Sequence, residues 1–420
     1  MVYCKELFDE LDRLAGDRKG EVRLIRELAA RVVGLARSPG MALIRKRWRD
    51  VLAMRKPDRP PVWCHGNASW NEIMPTDELV CRDPLCRELE VELKRVLVKD
   101  AIGDDTPVND YVMVTTRLEV EPPNTWGFDI RHEASKDKGG AWRYQPALTT
   151  AEDFDRLVVP SYRVNEAATA ERRERLGEIL GDAMPVRVSA ITGYFSTATL
   201  CNPAAQLRGL EPMMLDMIDA PDLVHRLIST ILQGEMARLD AIEQSGTAIL
   251  PNTDTPMLFS DPIRPENHGP FSLEDCWIHG NSQEFDQVSP AMFEEFLLNY
   301  QKALFARFGA VCYGCCENLT RKLDQVLTIP NLRLLTCSAW TDLPTLVNKA
   351  GDRCCIMWRH KASDVASATD TAALARQIRQ QARILDGCSY QVVLREMQTL
   401  MGHMDRLREW TQFAIEATAS

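Results

Sequence analysis

The run VCYGCCE, from Val311 to Glu317, decides how this chain is interpreted. Its apolar start is typical of a buried strand, and the glycine, two adjacent thiols and carboxylate that follow are typical of a polar strand end. In α/β barrels the catalytic groups lie at the carboxyl ends of the strands, and a carboxylate is rarely buried without a partner. The run therefore predicts a functional site, although free cysteine is also a common core residue.

Strand-like and helix-like segments alternate along most of the chain. This alternation predicts a parallel sheet, and about eight such units predict a TIM-type (β/α)8 barrel of the α/β class. An open doubly wound sheet is the alternative, but no GxGxxG or GxxxxGK[ST] phosphate loop supports it. The predicted strands are Val62 to Cys64, Tyr111 to Thr115, Val186 to Thr192, Ala248 to Pro251, Cys276 to His279, Val311 to Cys315, Leu332 to Cys337, Cys354 to Trp358 and Tyr390 to Arg395.

Three regions are predicted around this pattern. Residues 1 to 55 indicate an N-terminal helical extension of two amphipathic helices, separated by a breaker cluster at Ser38 to Gly40. Residues 56 to 420 form the barrel. Within it, residues 116 to 160 indicate an inserted β-hairpin flap that contains Trp126 to Phe128, Lys136 to Lys138, Gly139, Gly140 and Trp142 to Tyr144.

Composition excludes several classes of protein. A net charge of -10 disfavours a nucleic-acid surface, which relies on clustered Lys and Arg. No apolar stretch approaches the ~20 residues that span a bilayer, and the first residues predict an amphipathic helix and not a secretion signal. Thirteen cysteines without such a signal favour a reducing compartment. We therefore expect a cytoplasmic enzyme with no membrane or nucleic-acid partner.

Several segments together resemble the uroporphyrinogen decarboxylase superfamily, whose other large branch comprises corrinoid-dependent methyltransferases. The segments are RPPVW (Arg59 to Trp63), GDDTPVNDY (Gly103 to Tyr111), WGF (Trp126 to Phe128), EDFDRLVVP (Glu152 to Pro160), NSQEFDQVSPAMFEEFLLNY (Asn281 to Tyr300), YGCCENL (Tyr313 to Leu319) and IPNLRLLTCSAWTDL (Ile329 to Leu343). The resemblance extends over most of residues 55 to 415 and implies a TIM-type barrel with its pocket at the carboxyl ends of the strands.

Two departures from the family pattern narrow this resemblance. The decarboxylases carry an RQAGR-like segment after the first strand, where this chain has WCHGNASWNE (Trp63 to Glu72). The methyltransferases hold zinc through a His-x-Cys pair and a later Cys, and Tyr313 stands here in place of that histidine. The chain is thus similar to a YGCCE subgroup, common among anaerobes and placed near corrinoid or O-demethylation functions.

The resemblance implies roles for the residues of the run. The predicted zinc ligands are Cys315, Cys316, Glu317 and Cys355, since thiolates and carboxylates are zinc donors. The predicted catalytic residues are Glu317, Glu284 and Tyr313. A carboxylic acid with a raised pKa could protonate a poor leaving group, which is the task of Glu317 or Glu284. The alternative is a pair of carboxylates held by backbone N–H groups or arginines.

Further candidates follow other predicted strands. Imidazoles, indoles and an arginine at strand ends could surround a flat substrate or hold its carboxylate, although tryptophans there are also ordinary core residues. The predicted substrate-binding residues are His65, Trp70, His279, Trp340, Trp358, Arg359, His360 and Glu396.

The leading hypothesis is a corrinoid-linked methyltransferase that demethylates a small compound such as a methoxyaromatic. No DxHxxG signature of a corrinoid-binding module occurs, so a separate corrinoid protein would be its partner and would bring the cobalamin. The alternatives are a decarboxylase or lyase of a small carboxylic acid, and a non-catalytic protein that binds a tetrapyrrole, corrinoid or metal. A homodimer is also expected.

Overall fold

The structure, a computed structural model, describes residues 3 to 133, 143 to 191, 197 to 250, 255 to 264 and 270 to 419. Lys136 to Lys138, Gly139, Gly140 and Trp142 of the predicted flap lie outside these ranges. Thr192 and Pro251, the last residues of two predicted strands, also lie outside them.

Sixteen α-helical segments are present among the described residues. They are α1 (Tyr3–Asp12), α2 (Arg18–Ala36), α3 (Pro39–Leu52), α4 (Trp70–Ile73), α5 (Pro84–Ile102), α6 (Glu166–Leu180), α7 (Cys201–Arg208), α8 (Leu210–Asp219), α9 (Pro221–Gln244), α10 (Pro290–Phe293), α11 (Asn299–Phe305), α12 (Leu323–Val326), α13 (Leu343–Ala350), α14 (Ala362–Ala366), α15 (Thr371–Ile384) and α16 (Arg406–Thr418). No helix in the described part of the chain combines the length and the apolar character needed to cross a membrane.

The strands are short, with two to six residues each. They are β1 (Val62–Cys64), β2 (Val112–Thr115), β3 (Arg117–Glu121), β4 (Arg131–Glu133), β5 (Arg143–Gln145), β6 (Ser161–Asn165), β7 (Val186–Ser189), β8 (Thr197–Ala198), β9 (Trp277–Gly280), β10 (Ala310–Tyr313), β11 (Leu332–Cys337), β12 (Cys355–His360) and β13 (Tyr390–Leu394).

A seven-stranded parallel sheet forms the centre of this mixed α/β fold, in the order β1-β13-β12-β11-β10-β9-β8. A second parallel pair joins β2 to β7. Among the described residues no ladder joins the two sheets, although the Asp105 N–H donates to the Val62 carbonyl at 2.8 Å. The described residues of the strand predicted at Ala248 form no ladder with a neighbouring strand. The Ala248 carbonyl accepts a hydrogen bond from the Ala190 N–H at 2.8 Å.

Alternate residues of the central strands belong to two separate apolar clusters. One cluster contains Trp277, Cys312, Cys355 and Met357 together with Trp48 of α3. The other, larger cluster takes the intervening strand residues and the helices. Because successive strand side chains point to opposite faces, the first cluster marks the inner face of the sheet and the second its helix-covered outer face.

The N-terminal region contains three helices where two were predicted. The break at Ser38 is present, since the Ser38 side chain accepts from the Met41 N–H and Pro39 begins α3. In the region predicted as an insertion, β4 pairs with β5, and β3 pairs with β6, whose first residue is Ser161; both pairs are antiparallel.

Candidate functional site

The turn after β10 brings the two adjacent thiols to the end of the sheet. It depends on Gly314, whose φ of +99° lies in the region that favours glycine. A Cβ at this position would come within 2.8 Å of Leu319 Cδ1 and 3.1 Å of Thr336 Cβ. Any other residue would therefore push the turn away from β11 and displace the thiols that follow it.

Cys315 and Cys316 meet two charged side chains from neighbouring strand ends. Their Sγ atoms are 3.6 Å apart, and Glu396 Oε1 lies 3.3 Å from Cys316 Sγ, so the single S–H of Cys316 is shared between Cys315 Sγ and this carboxylate. Arg359 Nη1 donates to the same carboxylate oxygen at 3.1 Å and to the Cys315 carbonyl at 3.0 Å. We call these four residues, Cys315, Cys316, Arg359 and Glu396, the thiol cluster.

The two thiols of the cluster differ in acidity. The hydrogen bond from Cys316 and the positive charge of Arg359, 3.8 Å from Cys315 Sγ, lower the pKa of Cys315. The same thiol–thiol bond, burial and the negative charge of Glu396 raise the pKa of Cys316. Near neutral pH the pair therefore favours one proton, held on Cys316, with the thiolate on Cys315.

Arg359 retains an open hydrogen-bonding position. Its side chain is 4% exposed, and its Nε atom has no hydrogen-bond partner within the described residues. A buried N–H without a partner is costly. The cluster is therefore suited to a ligand with an oxygen acceptor, such as a carboxylate.

Asn67 holds Glu396 in place, and the sequence analysis did not identify it. The Glu396 N–H donates to Asn67 Oδ1 at 2.7 Å, and both residues have positive φ, +68° and +44°. Such conformations persist only where surrounding contacts hold them. The sequence signal was available, because His65-Gly66-Asn67 follows β1, and Asn tolerates positive φ better than most residues.

Glu317 is buried behind the thiols and binds backbone groups. Its Oε1 accepts from Ser282 N at 2.7 Å and from Ser282 Oγ at 3.3 Å, and its Oε2 accepts from Cys315 N at 2.9 Å. This is the alternative recognised from the sequence, a carboxylate held by backbone N–H groups. Glu317 thus ties the turn after β10 to the turn after β9.

Glu284 lies beside the thiol cluster without entering it. The Cys201 thiol donates to its Oε2 at 3.0 Å and Asn202 Nδ2 donates to its Oε1 at 2.7 Å. Burial and the Glu284 carboxylate raise the pKa of Cys201 well above its usual range. The two partners of Glu284 are the first two residues of α7, so this carboxylate joins α7 to the turn after β9.

Tyr313 faces the helices and not the inner side of the sheet. Its ring is fully buried, edge-on to Phe305 at a centroid distance of 6.1 Å, and its hydroxyl donates to Gln301 Oε1 at 3.1 Å. Burial, followed by the charge of Glu317, raises its pKa well above the usual range. The predicted catalytic role of Tyr313 is not supported by this placement, because strand alternation turns the ring away from Cys315.

Two predicted histidines lie on the inner side. His279 Nε2 donates to the Gly314 carbonyl at 3.0 Å, and burial lowers the pKa of His279 to about 4, so the ring is neutral. His65 Nδ1 contacts Asn67 Oδ1 at 2.9 Å, and burial also lowers its pKa. His65 therefore touches the residue that holds Glu396.

Trp70 lies farther from the cluster. Together with His65 it lines a cavity of about 570 Å³ between β1, α5 and β2. Arg95 lies over the indole ring of Trp70, 5.4 Å from its centroid.

Three further predicted residues, Trp340, Trp358 and His360, line a second space together with Arg359. Trp358 and His360 stack with centroids 5.4 Å apart on the outer face of β12, where the Trp410 indole N–H donates to His360 Nδ1 at 2.8 Å. Trp340 is 61% exposed and lines the same space. We call this space, about 520 Å³ between β11, β12, α13 and α15, the outer cavity. Adjacent residues of β12 point in opposite directions, so Trp358 and His360 face away from Cys315, and their role in substrate binding stays a prediction.

The predicted zinc ligands do not converge. Cys355 begins β12, four residues before Arg359, which corresponds to roughly 13 Å along a strand. It packs in the inner apolar cluster, where burial raises its pKa well above the usual range. Within the described residues no group of three His, Cys, Asp or Glu side chains is placed to hold a metal ion. In the thiol cluster the Arg359 guanidinium lies among the donors that a metal would need, so this arrangement does not fit zinc.

Comparisons with known proteins give only distant likenesses, found among solved structures. No family model matches the chain, and no curated protein matches it. Among solved structures, a methyltransferase from Methanosarcina mazei is similar over 89% of this chain and 98% of that chain, with 12% sequence identity and a TM-score of 0.49. At this distance the likeness carries no argument about the reaction or the substrate.

Proposed function

We propose that this protein transfers a methyl group between a small methylated substrate, such as a methoxyaromatic acid, and a separate corrinoid protein. The observation that carries the proposal is the thiol cluster, in which a thiol, a thiolate, a carboxylate and a buried arginine meet at the carboxyl ends of parallel strands. The family resemblance of the surrounding segments supports it. As part of the same proposal, the two parallel sheets are the arcs of one (β/α)8 barrel.

Arg359 would bind the substrate. Its free Nε–H is the donor that a substrate carboxylate can fill, and its side chain is already fixed by Glu396 and the Cys315 carbonyl. A guanidinium in this position orients a planar acid through a fixed donor geometry. The partly exposed thiols would then lie beside the methoxy group.

Cys316 would supply the proton that the leaving oxygen needs. Methyl transfer from an ether breaks the bond between the methyl carbon and oxygen, and the departing oxygen must be protonated. The Cys316 thiol keeps its proton at neutral pH because Cys315 and Glu396 raise its pKa. The proton moves from Cys316 Sγ to that oxygen, the resulting thiolate lies beside Arg359, and solvent restores the proton after the product leaves.

The corrinoid of the partner protein would supply the nucleophile that accepts the methyl group. Every other part of the reaction is assigned to residues of this chain. Zinc remains a prediction that elemental analysis of anaerobically purified protein can test, with a Cys316→Ser variant for comparison.

The test is demethylation of a panel of methoxyaromatic acids and methylamines by purified protein with a reduced corrinoid protein. We expect at least one methoxyaromatic acid to lose its methyl group, at a rate that falls ~100-fold in Cys316→Ala. If no compound of the panel were demethylated, the proposal would be abandoned.

A second candidate function follows from the same arginine. Arg359 could hold a small carboxylic acid for decarboxylation, which requires no corrinoid. Release of carbon dioxide from a panel acid in the absence of cobalamin, and its loss in Arg359→Met, would favour this lyase over the methyltransferase.

A further inference from the structure

The outer cavity has the dimensions of a binding site. Its volume of about 520 Å³ is within the range of ~300 to 1,000 Å³ that small-molecule pockets occupy. It is walled by β12 and α15, and Arg359 of the thiol cluster also lines it, whereas Cys315, Cys316 and Glu396 do not.

One ring nitrogen of His360 is a buried donor without a partner. The Trp410 indole N–H can only donate, so His360 Nδ1 must be the acceptor of the 2.8 Å bond between them. Burial lowers the pKa of His360, and the neutral ring therefore carries its proton on Nε2. His360 is 3% exposed, and Nε2 has no hydrogen-bond partner among the residues that the structure describes. A contact with Gln377 of α15 raises the pKa of His360 and so offsets part of the effect of burial, although it does not reach hydrogen-bond geometry.

An exposed aromatic ring stands at the same cavity. Trp340 is 61% exposed, and Lys361 Nζ lies 5.2 Å from its ring centroid. An indole presented to solvent beside a cavity gives a flat surface on which a planar ligand can stack. The cavity therefore combines a stacking surface with a directed hydrogen-bond donor.

The charges around the cavity favour a neutral ligand. Asp342 and Asp364 contribute two carboxylates to the lining, and Lys361 and Arg359 contribute two cations. Lys361 already contacts Asp364 at 3.5 Å and Arg359 contacts Glu396 at 3.1 Å, so a neutral ligand fits this balanced lining without a further counter-ion. Three amide side chains on α15 supply both donors and acceptors for a neutral polar ring; they are Gln377, Gln380 and Gln381.

We propose that the outer cavity binds a small, neutral, planar heterocycle, of the nucleobase or nicotinamide class, that stacks on Trp340 and accepts a hydrogen bond from His360 Nε2. A ring carbonyl or an unprotonated ring nitrogen is the required acceptor. Neither Trp340 nor His360 takes part in the proposed methyl transfer, although Arg359 lines this cavity and also belongs to the thiol cluster.

Saturation-transfer NMR and titration calorimetry on the full chain test the site with adenine, uracil, nicotinamide and benzimidazole, and with benzoate as the anionic comparison. At least one neutral heterocycle is expected to bind more tightly than benzoate. Trp340→Ala and His360→Gln should each weaken that binding about tenfold, which is the loss of affinity expected when one good contact is removed. Trp340 is exposed, so its truncation leaves the fold intact even if His360→Gln does not fold, and Gln377→Leu provides a further variant within the cavity.

The matched control is His225→Gln, because His225 is a part-buried histidine that bonds Tyr300 Oη at 2.8 Å on α9, outside the cavity. The heterocycle should bind to the His225→Gln variant with the same binding constant as to the unaltered chain. The proposal is overturned if no neutral heterocycle of the panel binds, if benzoate binds more tightly than all of them, or if Trp340→Ala and Gln377→Leu leave binding unchanged.

Discussion

The two faces of β12 differ in how their polar groups are satisfied. On the inner face Arg359 donates hydrogen bonds to the Cys315 carbonyl and to Glu396, and the members of the thiol cluster shift one another's pKa values. On the outer face the next residue, His360, stacks on Trp358, and its Nε2 has no hydrogen-bond partner among the described residues. Residues adjacent in the sequence of β12 thus lie in an ionic cluster and beside an aromatic pair.

The largest expected effect on stability comes from replacing Arg359, the cation on the inner face of β12. Arg359→Met leaves Glu396 without its cation, so we expect the unfolding free energy to fall by ~2 kcal/mol, less than the ~3–5 kcal/mol of a fully buried pair. The expected loss is smaller because the Glu396 side chain is 45% exposed and solvent screens its charge. Chemical denaturation measures the unfolding free energy of the variant and of the unaltered chain. An unchanged unfolding free energy would show that the ion pair is absent in solution.

The acidity of Cys315 gives the next effect. Cys316→Ala removes the hydrogen bond that lowers the pKa of Cys315, so alkylation of Cys315 by iodoacetamide at pH 7 should slow about tenfold, since bonds to charged groups contribute ~1.5 kcal/mol or more. Cys316→Ser keeps a hydroxyl donor and should slow it less. Mass spectrometry of the modified peptide gives both rates, and equal rates in both variants and the unaltered chain would contradict the assignment.

Acid should affect the inner histidine more than the outer one. The pKa of His279 is about 4 in the folded chain and ~6.5 in the unfolded chain, so between these pH values the folded chain binds fewer protons at this residue. The contribution of His279 to stability is therefore lost as pH falls through this window. His279→Gln keeps a donor for the Gly314 carbonyl and should reduce the acid slope of the unfolding free energy by up to ~1.4 kcal/mol per pH unit. His360→Gln should reduce it less, and the reverse order would be contrary to the burial argument.

Loss of the Asn67 contact has the smallest expected effect on stability. Asn67→Ala removes the acceptor of the Glu396 N–H and should lower the unfolding free energy by ~1 kcal/mol, whereas Asn67→Asp keeps it. Release of Glu396 also removes a negative charge from Cys316, so its thiol should ionise at lower pH and alkylate faster. Asn165→Ala is the matched control, because Asn165 Oδ1 accepts from the Ala168 N–H at 2.8 Å far from the cluster. An unchanged pH midpoint for Cys316 in Asn67→Ala would remove the positioning role.

Regular alternation made much of the sheet predictable. β11 has the predicted bounds, Leu332–Cys337, because its last four residues are buried on both faces between neighbouring strands and helices. The same rule placed Cys354 and Cys355 on opposite faces, as the two apolar clusters show. The short piece at Ala248 met the apolar pattern but makes no ladder, since sequence alone does not show whether a neighbouring strand is in register.

The sequence analysis identified the members of the thiol cluster but not the contacts between them. Glu396 and Arg359 were identified because polar groups follow apolar strands, yet their meeting depends on β12 and β13 being adjacent. Asn67 was not identified from the sequence because its contact with Glu396 joins residues 329 positions apart. Tyr313, Trp358 and His360 were grouped with the thiols because each is near a strand end, although side-chain parity turns all three outward.

The most direct test of the central claim follows a labelled methyl group. A trideuteromethoxy aromatic acid is mixed with reduced corrinoid protein and either the unaltered chain, Arg359→Met or Asn165→Ala, and label on the corrinoid is measured by mass spectrometry. We predict transfer by the unaltered chain and by Asn165→Ala, and a fall of ~100-fold in Arg359→Met. Transfer at equal rates in all three, or no transfer of label from any methoxy acid tested, would contradict the assignment of methyl transfer to the thiol cluster.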